Sequence, residues 1–226
     1  MKMKNYLIYF FFFSICLHTS AQDDIEIKER KNAFAVSFGS PGMGLEYARK
    51  LNSKFSAKVV WHTFSLSDFS QEDLDLNGDK VDLLANLDVK IIDLGIEYLP
   101  FKNSSLKLTA GIGFLSNVNL NSVFTYTEDV TVGTVIIKKQ DVGEIVADVN
   151  WSEAAPYLGF GFGRAIPKKR LGFGIEIGTY FASPPTVNLT ASKLLAPTAS
   201  QEENLQNSLE DFKFIPRIQF RLAYNF

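Results

Sequence analysis

The stretch FIPRIQFRLAYNF, residues 214–226, alternates to its last residue. Phe214, Pro216, Ile218, Phe220, Leu222, Tyr224 and Phe226 fall on one side of an extended chain, with Arg217, Gln219, Arg221 and Asn225 on the other. Successive side chains of a strand point to opposite faces, so this is a strand with one apolar and one polar face. Only Ile215 and Ala223 depart from the pattern. Strands of five or six residues are usual in globular proteins, and this one is far longer. It also closes on an aromatic, where most domains trail into polar residues.

The same design recurs upstream. Leu158, Phe160, Phe162 and Ile166 oppose Gly159, Gly161 and Gly163. Leu171, Phe173, Ile175, Ile177 and Phe181 oppose Gly172, Gly174, Glu176, Gly178 and Tyr180. Leu106, Leu108, Ala110, Ile112 and Phe114 oppose Ser105, Lys107, Thr109, Gly111 and Gly113. Residues 34–39, 43–51, 55–64 and 90–98 repeat the alternation less cleanly, which brings the expected strands to eight. Residues 33–51 can also be read as one strand, because Ser40-Pro41-Gly42 would be a very tight turn.

The connections alternate in length. Residues 52–54, 102–104 and 167–170 are short, whereas 67–88, 116–154 and 183–212 are long. Short turns at one end and long loops at the other describe an antiparallel transmembrane barrel, and bacterial barrels have even strand numbers. In the last long loop, Ser200 and Glu203 fit a capping box, and Leu205, Leu209 and Phe212 recur at helical spacing. A short amphipathic helix against the barrel rim is expected there. Within 116–154, VGTVIIKK and GEIVADVNW are expected to prolong the neighbouring strands.

Glycine decides which face looks where. It weakens a strand and is depleted from exposed polar faces, but a cramped interior gives it a purpose. The glycine and charged faces are therefore expected inside and the apolar faces against lipid. The lumen would hold Glu46, Asp93, Glu97 and Glu176 with Lys58, Lys107, Arg217 and Arg221, four charges of each sign. An eight-stranded lumen is just wide enough for side chains, and buried charges must pair, so an ionic plug is expected. A narrow pathway past the inward glycines is the other possibility. Tyr98, Phe101, Tyr224 and Phe226 would form one interfacial girdle, and Trp61, Phe64, Trp151 and Tyr157 the other.

At the N-terminus, Lys2 and Lys4 precede an apolar run over residues 6–17, and Thr19-Ser20-Ala21 follows. This reads as a cleaved signal peptide, residues 1–21, because the run is too short to span a bilayer. Cleavage would remove Cys16, the only cysteine, leaving no disulfide or thiol chemistry. It would also take 23 basic residues to 21 against 25 acidic ones, with no basic footprint for nucleic acid. The barrel is expected over residues 32–226.

The sequence carries no complete catalytic or metal-binding motif. Asp73, Asp75, Asn77 and Gly78 begin like a calcium loop, but Lys80 and Leu84 stand where an apolar residue and a bidentate glutamate belong. His62 and Ser65 lie on opposite faces of a strand and cannot form a nucleophile and base pair. GFGFGR sits inside an alternating strand with no helix after it, which excludes a phosphate loop. No catalytic, cofactor or metal residues are assigned.

The motifs YLPF, LKLTAGIGF, APYLGFGFGRA, GFGIEIGTYFASPPTVNLTAS and LEDFKFIPRIQFRLAYNF give the chain a likeness that covers most of it, clearest from about residue 87 onward. It resembles the small outer-membrane β-barrel proteins of Gram-negative bacteria, the group that includes outer-membrane proteins A, X and W. The resemblance implies an outer-membrane location and contact with its lipid. It also implies that Phe220, Leu222, Tyr224 and Phe226 are a C-terminal signal for the barrel-assembly machinery, after escort by periplasmic chaperones. It carries over no site residues. The expected function is non-enzymatic, either structural or slow passage of small solutes through a narrow lumen. The alternatives are a surface binding or adhesion module acting through the long loops, and a lipid-modifying enzyme, for which no polar cluster is evident.

Overall fold

The computed structural model describes residues 30–76, 79–101 and 103–226. The expected signal peptide, residues 1–21, and residues Asn77 and Gly78 of the calcium-like stretch lie outside them. Eight antiparallel staves form a closed ring: β1 (Asn32–Gly39), β2 (Gly42–Lys50), β3 (Phe55–Leu76), β4 (Asp79–Tyr98), β5 (Leu106–Tyr126), β8 (Glu144–Phe162), β9 (Leu171–Phe181) and β11 (Phe214–Asn225). The first and last staves close it, running from Ala33 opposite Asn225 to Gly39 opposite Gln219. Phe226 finishes that seam, its amide donating to the Asn32 carbonyl and its ring stacked on Phe34 at 5.3 Å. Among the described residues no helix is long and apolar enough to cross a membrane.

Residues 33–51 are two strands. Gly39 pairs with Gly42 around Ser40-Pro41, and Gly42 supplies the positive φ of 91° that a side chain would resist. At the other end of this pair, the Asn52 carboxamide accepts from the amides of Lys54 and Phe55 and fixes the turn into β3.

The staves differ in length. β3, β4, β5 and β8 run 22, 20, 21 and 19 residues, against 8, 9, 11 and 12 for β1, β2, β9 and β11. A membrane strand needs only ~9–11 residues. The surplus halves of the four long staves therefore stand beyond the ring as a sheet of their own, which β10 (Thr186–Ala191) completes by pairing with β8. Two of the expected long loops are thus largely strand. Bulges between Leu66 and Phe69, Gln71 and Leu74, and Leu115 and Val118 bend this part and hid its period in the sequence.

The expected extension of a neighbouring strand holds for residues 144–151 in β8, but not for VGTVIIKK. That segment makes a separate hairpin of β6 (Val130–Val132) and β7 (Val135–Ile137), followed by the single turn α1 (Lys139–Val142). Lys138 bonds Asp129 at 2.8 Å and the Lys139 amide bonds it at 3.0 Å, which together hold the Asp129 carboxyl below its usual range and tie the hairpin base.

After β10 come a 3₁₀ segment (Lys193–Gln201) and α2 (Glu202–Ser208). The expected capping box does not form, because Ser200 Oγ donates to the Pro197 carbonyl and the helix starts after Gln201. Instead of lying on the ring's rim, α2 covers the free edge of β10. The Val187 and Leu189 amides donate to Gln206 Oε1 and Glu202 Oε2, so an otherwise open strand edge is capped by side chains.

The two halves have opposite polarity. Along β4 within the ring, Ile92, Leu94 and Ile96 point out and Asp93 and Glu97 point in. In the projecting half of the same strand, Val81, Leu83, Leu87 and Val89 take the inner face, while Asp82, Asn86, Asp88 and Lys90 take the outer. β5 does the same: Leu108, Ile112 and Phe114 point out of the ring, whereas beyond its bulge Val118, Phe124 and Tyr126 turn in.

Candidate functional site

The ring's exterior is a continuous apolar band. Phe38, Met43 and Phe173 are 63%, 72% and 79% exposed, and Val36, Leu94, Leu158, Phe160 and Phe220 join them. Soluble proteins rarely expose contiguous apolar patches beyond a few hundred Å². The interior is the reverse, and every one of the eight expected lumen charges is buried there.

Two hubs organise the interior. Glu176 on β9 accepts from Lys58 at 3.0 Å, Thr109 at 2.9 Å and Tyr157 at 3.0 Å, and forms ion pairs with Lys107 at 2.6 Å and Arg217 at 3.7 Å. Asp93 on β4 accepts from Arg217 at 2.6 Å and Tyr180 at 3.0 Å and lies 3.1 Å from His62 Nε2. Arg217 also donates to Gln219 and lies 4.6 Å from the centre of the Tyr157 ring. Glu46 meets Arg221 at 2.5 Å, and Glu97 lies 3.3 Å from Lys107 and 3.9 Å from Arg221. His62, Tyr157, Tyr180, Thr109 and Gln219, which the expected charge network did not include, complete the shells of the charges. Parity held the signal, since Tyr157 shares a face with Gly159 and Gly161. Its placement in the outer girdle is thereby corrected, and Trp151 likewise packs inward; Phe64 lies opposite Val89 on the inner face, and Trp61 stays outside.

The inward glycines make room for these groups. A Cβ at Gly113 would fall on the Tyr180 ring, one at Gly159 or Gly178 on the Tyr157 hydroxyl, and one at Gly44 between Ser37 and His62. Ser37 and His62 flank that position and are both buried, and Ser65 is exposed on the opposite face of its strand from His62.

Both ends of the plug are covered. At the short-turn end, strand β8 stops at Phe162 rather than continuing to Ile166. Gly163, at φ 96°, turns residues 163–170 into the mouth. There the Ala165 amide donates to Glu97 at 2.6 Å, Arg221 donates to the Arg164 and Ala165 carbonyls, and Asn225 donates to the Pro167 carbonyl at 2.5 Å. Ala165 is fully buried as a result. At the opposite end Val89, Ile91, Leu115, Val118 and Ala155 pack over Tyr157 and Tyr180 as an apolar lid.

The described parts of the calcium-like stretch lie in two paired strands, with Asp73 and Asp75 in β3 and Lys80 and Leu84 in β4. The Asp73 amide donates to Asp82 Oδ1. Among the described residues no group of acids, histidines and cysteines is placed to hold a metal.

No protein-family model matches the chain, and no curated protein matches it. Its fold is similar to the crystal structure of Acinetobacter baumannii CarO, with a TM-score of 0.61 at 21% identity, covering 89% of this chain and 100% of that one. It is also similar to Acinetobacter baumannii CarO2, with a TM-score of 0.63 at 20% identity, covering 88% of this chain and 100% of that one. The fold is an eight-stranded antiparallel barrel of the outer-membrane type.

Proposed function

We propose that this chain is a non-enzymatic integral outer-membrane barrel whose lumen is closed and whose working part is the sheet projecting beyond the membrane. The polarity inversion along β4 and β5 carries the reading. A strand whose outer face is apolar over one half and polar over the other meets two different media, and the change falls at residues 90–92 of β4. Hydrocarbon on one side of that level and water on the other accounts for both halves with one sequence rule.

Inside the ring, passage of a solute would require the Glu176 and Asp93 hubs to open and residues 163–170 to leave the mouth. A structural or surface-binding role asks for neither. Phe220, Leu222, Tyr224 and Phe226 line the outer face of the closing strand, and we take them as the signal read by the assembly machinery after chaperone escort. Membrane fractionation with heat-modifiable gel migration tests the location. The intact protein is expected in the outer membrane as a compact, heat-sensitive band, and deletion of Phe226 should shift it to the periplasm. A soluble, heat-insensitive product would overturn the proposal.

A further inference from the structure

The projecting sheet holds a cavity of about 270 Å³ at its far tip, lined by Asp79, Val81, Phe124, Tyr126, Ile145 and Leu195. Five of these side chains are hydrocarbon or aromatic, and Asp79 is the one charged group among them. Val81, Phe124, Tyr126 and Ile145 come from the inner face of β4, β5 and β8, while Leu195 of the 3₁₀ segment roofs them. Apolar walls with one placed polar group are the usual make-up of a small-molecule site.

From this lining we infer that the tip cavity binds a small organic cation, an ammonium group carried on a compact apolar or aromatic body. The ammonium would sit against the Asp79 carboxylate and the faces of Phe124 and Tyr126, where ring quadrupoles attract cations. The body would fill the space walled by Val81, Ile145 and Leu195. At ~30 Å³ per water-sized volume, the cavity accommodates roughly one ring and a short chain.

Two further observations point to a cation. Tyr126 sits close enough to Asp79 to feel its charge, since burial first and then that carboxylate push the Tyr126 phenol up. Residues 68–82 carry Asp68, Glu72, Asp73, Asp75, Asp79 and Asp82 against one lysine, Lys80. Lys80 is itself engaged by Glu128 at 3.1 Å. That segment therefore contributes a negative field that concentrates cations and repels anions.

The inference rests on reading the projecting sheet as the working part, and it does not depend on the lumen being closed. Calorimetric titration of the folded protein in lipid nanodiscs with phenethylammonium tests it, with neutral 2-phenylethanol and anionic phenylacetate as controls. Saturable one-site binding is expected for the ammonium alone. Asp79→Asn should weaken it roughly tenfold or more, and Leu195→Trp, which fills the cavity, should remove it. Both variants should keep heat-modifiable migration, since neither touches the ring. Binding that is unchanged in Asp79→Asn, equal for phenethylammonium and 2-phenylethanol, or absent up to millimolar probe would overturn the inference. Membrane fractionation of the same samples reads the proposed location separately, so failure of one is distinguishable from failure of the other.

Discussion

The ring and the projecting sheet share four long strands and solve opposite problems. In the ring, glycine and charge face inward and each charge has to find a partner, whereas hydrocarbon side chains face out. In the projecting half, Val81, Leu87, Val118 and Phe124 form an inner face of their own and acids and amides take the outside. The difference teaches that alternation alone does not tell inside from outside. What it tells is that the two faces differ, and the medium around each half decides which one is turned out.

The sharpest way to break the comparison is at the hub of the ring. Arg217→Ala leaves Asp93 with only Tyr180 and His62 and withdraws a cation from Glu176. Removing one partner of a buried pair costs ~3–5 kcal/mol. Urea unfolding of the barrel in lipid should show a loss of that order, and an unchanged midpoint would mean that the plug contributes nothing to the ring.

A charge placed on the outward face separates the two halves directly. Leu94→Arg introduces a cation on the apolar band and is expected to cost ~2–4 kcal/mol, the range for arginine at the midplane of a bilayer. Asp88→Arg, six residues away on the same face of the same strand, should stay within ~0.5 kcal/mol. Equal effects at the two positions, by the same unfolding measurement, would erase the boundary drawn between them.

The smallest effect is expected in the projecting sheet alone. Changing Glu202 and Gln206 together to alanine uncaps the Val187 and Leu189 amides, each bond being worth ~1 kcal/mol. Amide exchange at those two positions should accelerate while the ring's unfolding midpoint stays fixed. A shift of the ring's midpoint would show that the two halves unfold as one unit.

The ring was largely legible in the sequence because each of its faces meets one medium along its whole length. The parity that puts Phe220 and Leu222 outside also puts Arg217 and Arg221 inside, and the structure has them there. Three things were not legible. The inward turn at 163–170 depends on Glu97, Arg221 and Asn225, which are distant in sequence, and only Gly163 hints at it. The projecting halves of β3 and β5 are interrupted by bulges that shift the period, so residues 67–88 and 116–126 read as loop. The capping of β10 by α2 uses Glu202 and Gln206 across space, whereas the local pattern at Ser200 and Glu203 suggested a box that does not form.

The closed lumen is the centre of the account, and single-channel recording in a planar bilayer tests it most directly. Folded protein, verified by heat-modifiable migration, is expected to leave the bilayer silent, because Glu176, Asp93 and the turn at 163–170 together fill the ring. Steady, reproducible conductance steps from that same folded protein would contradict it.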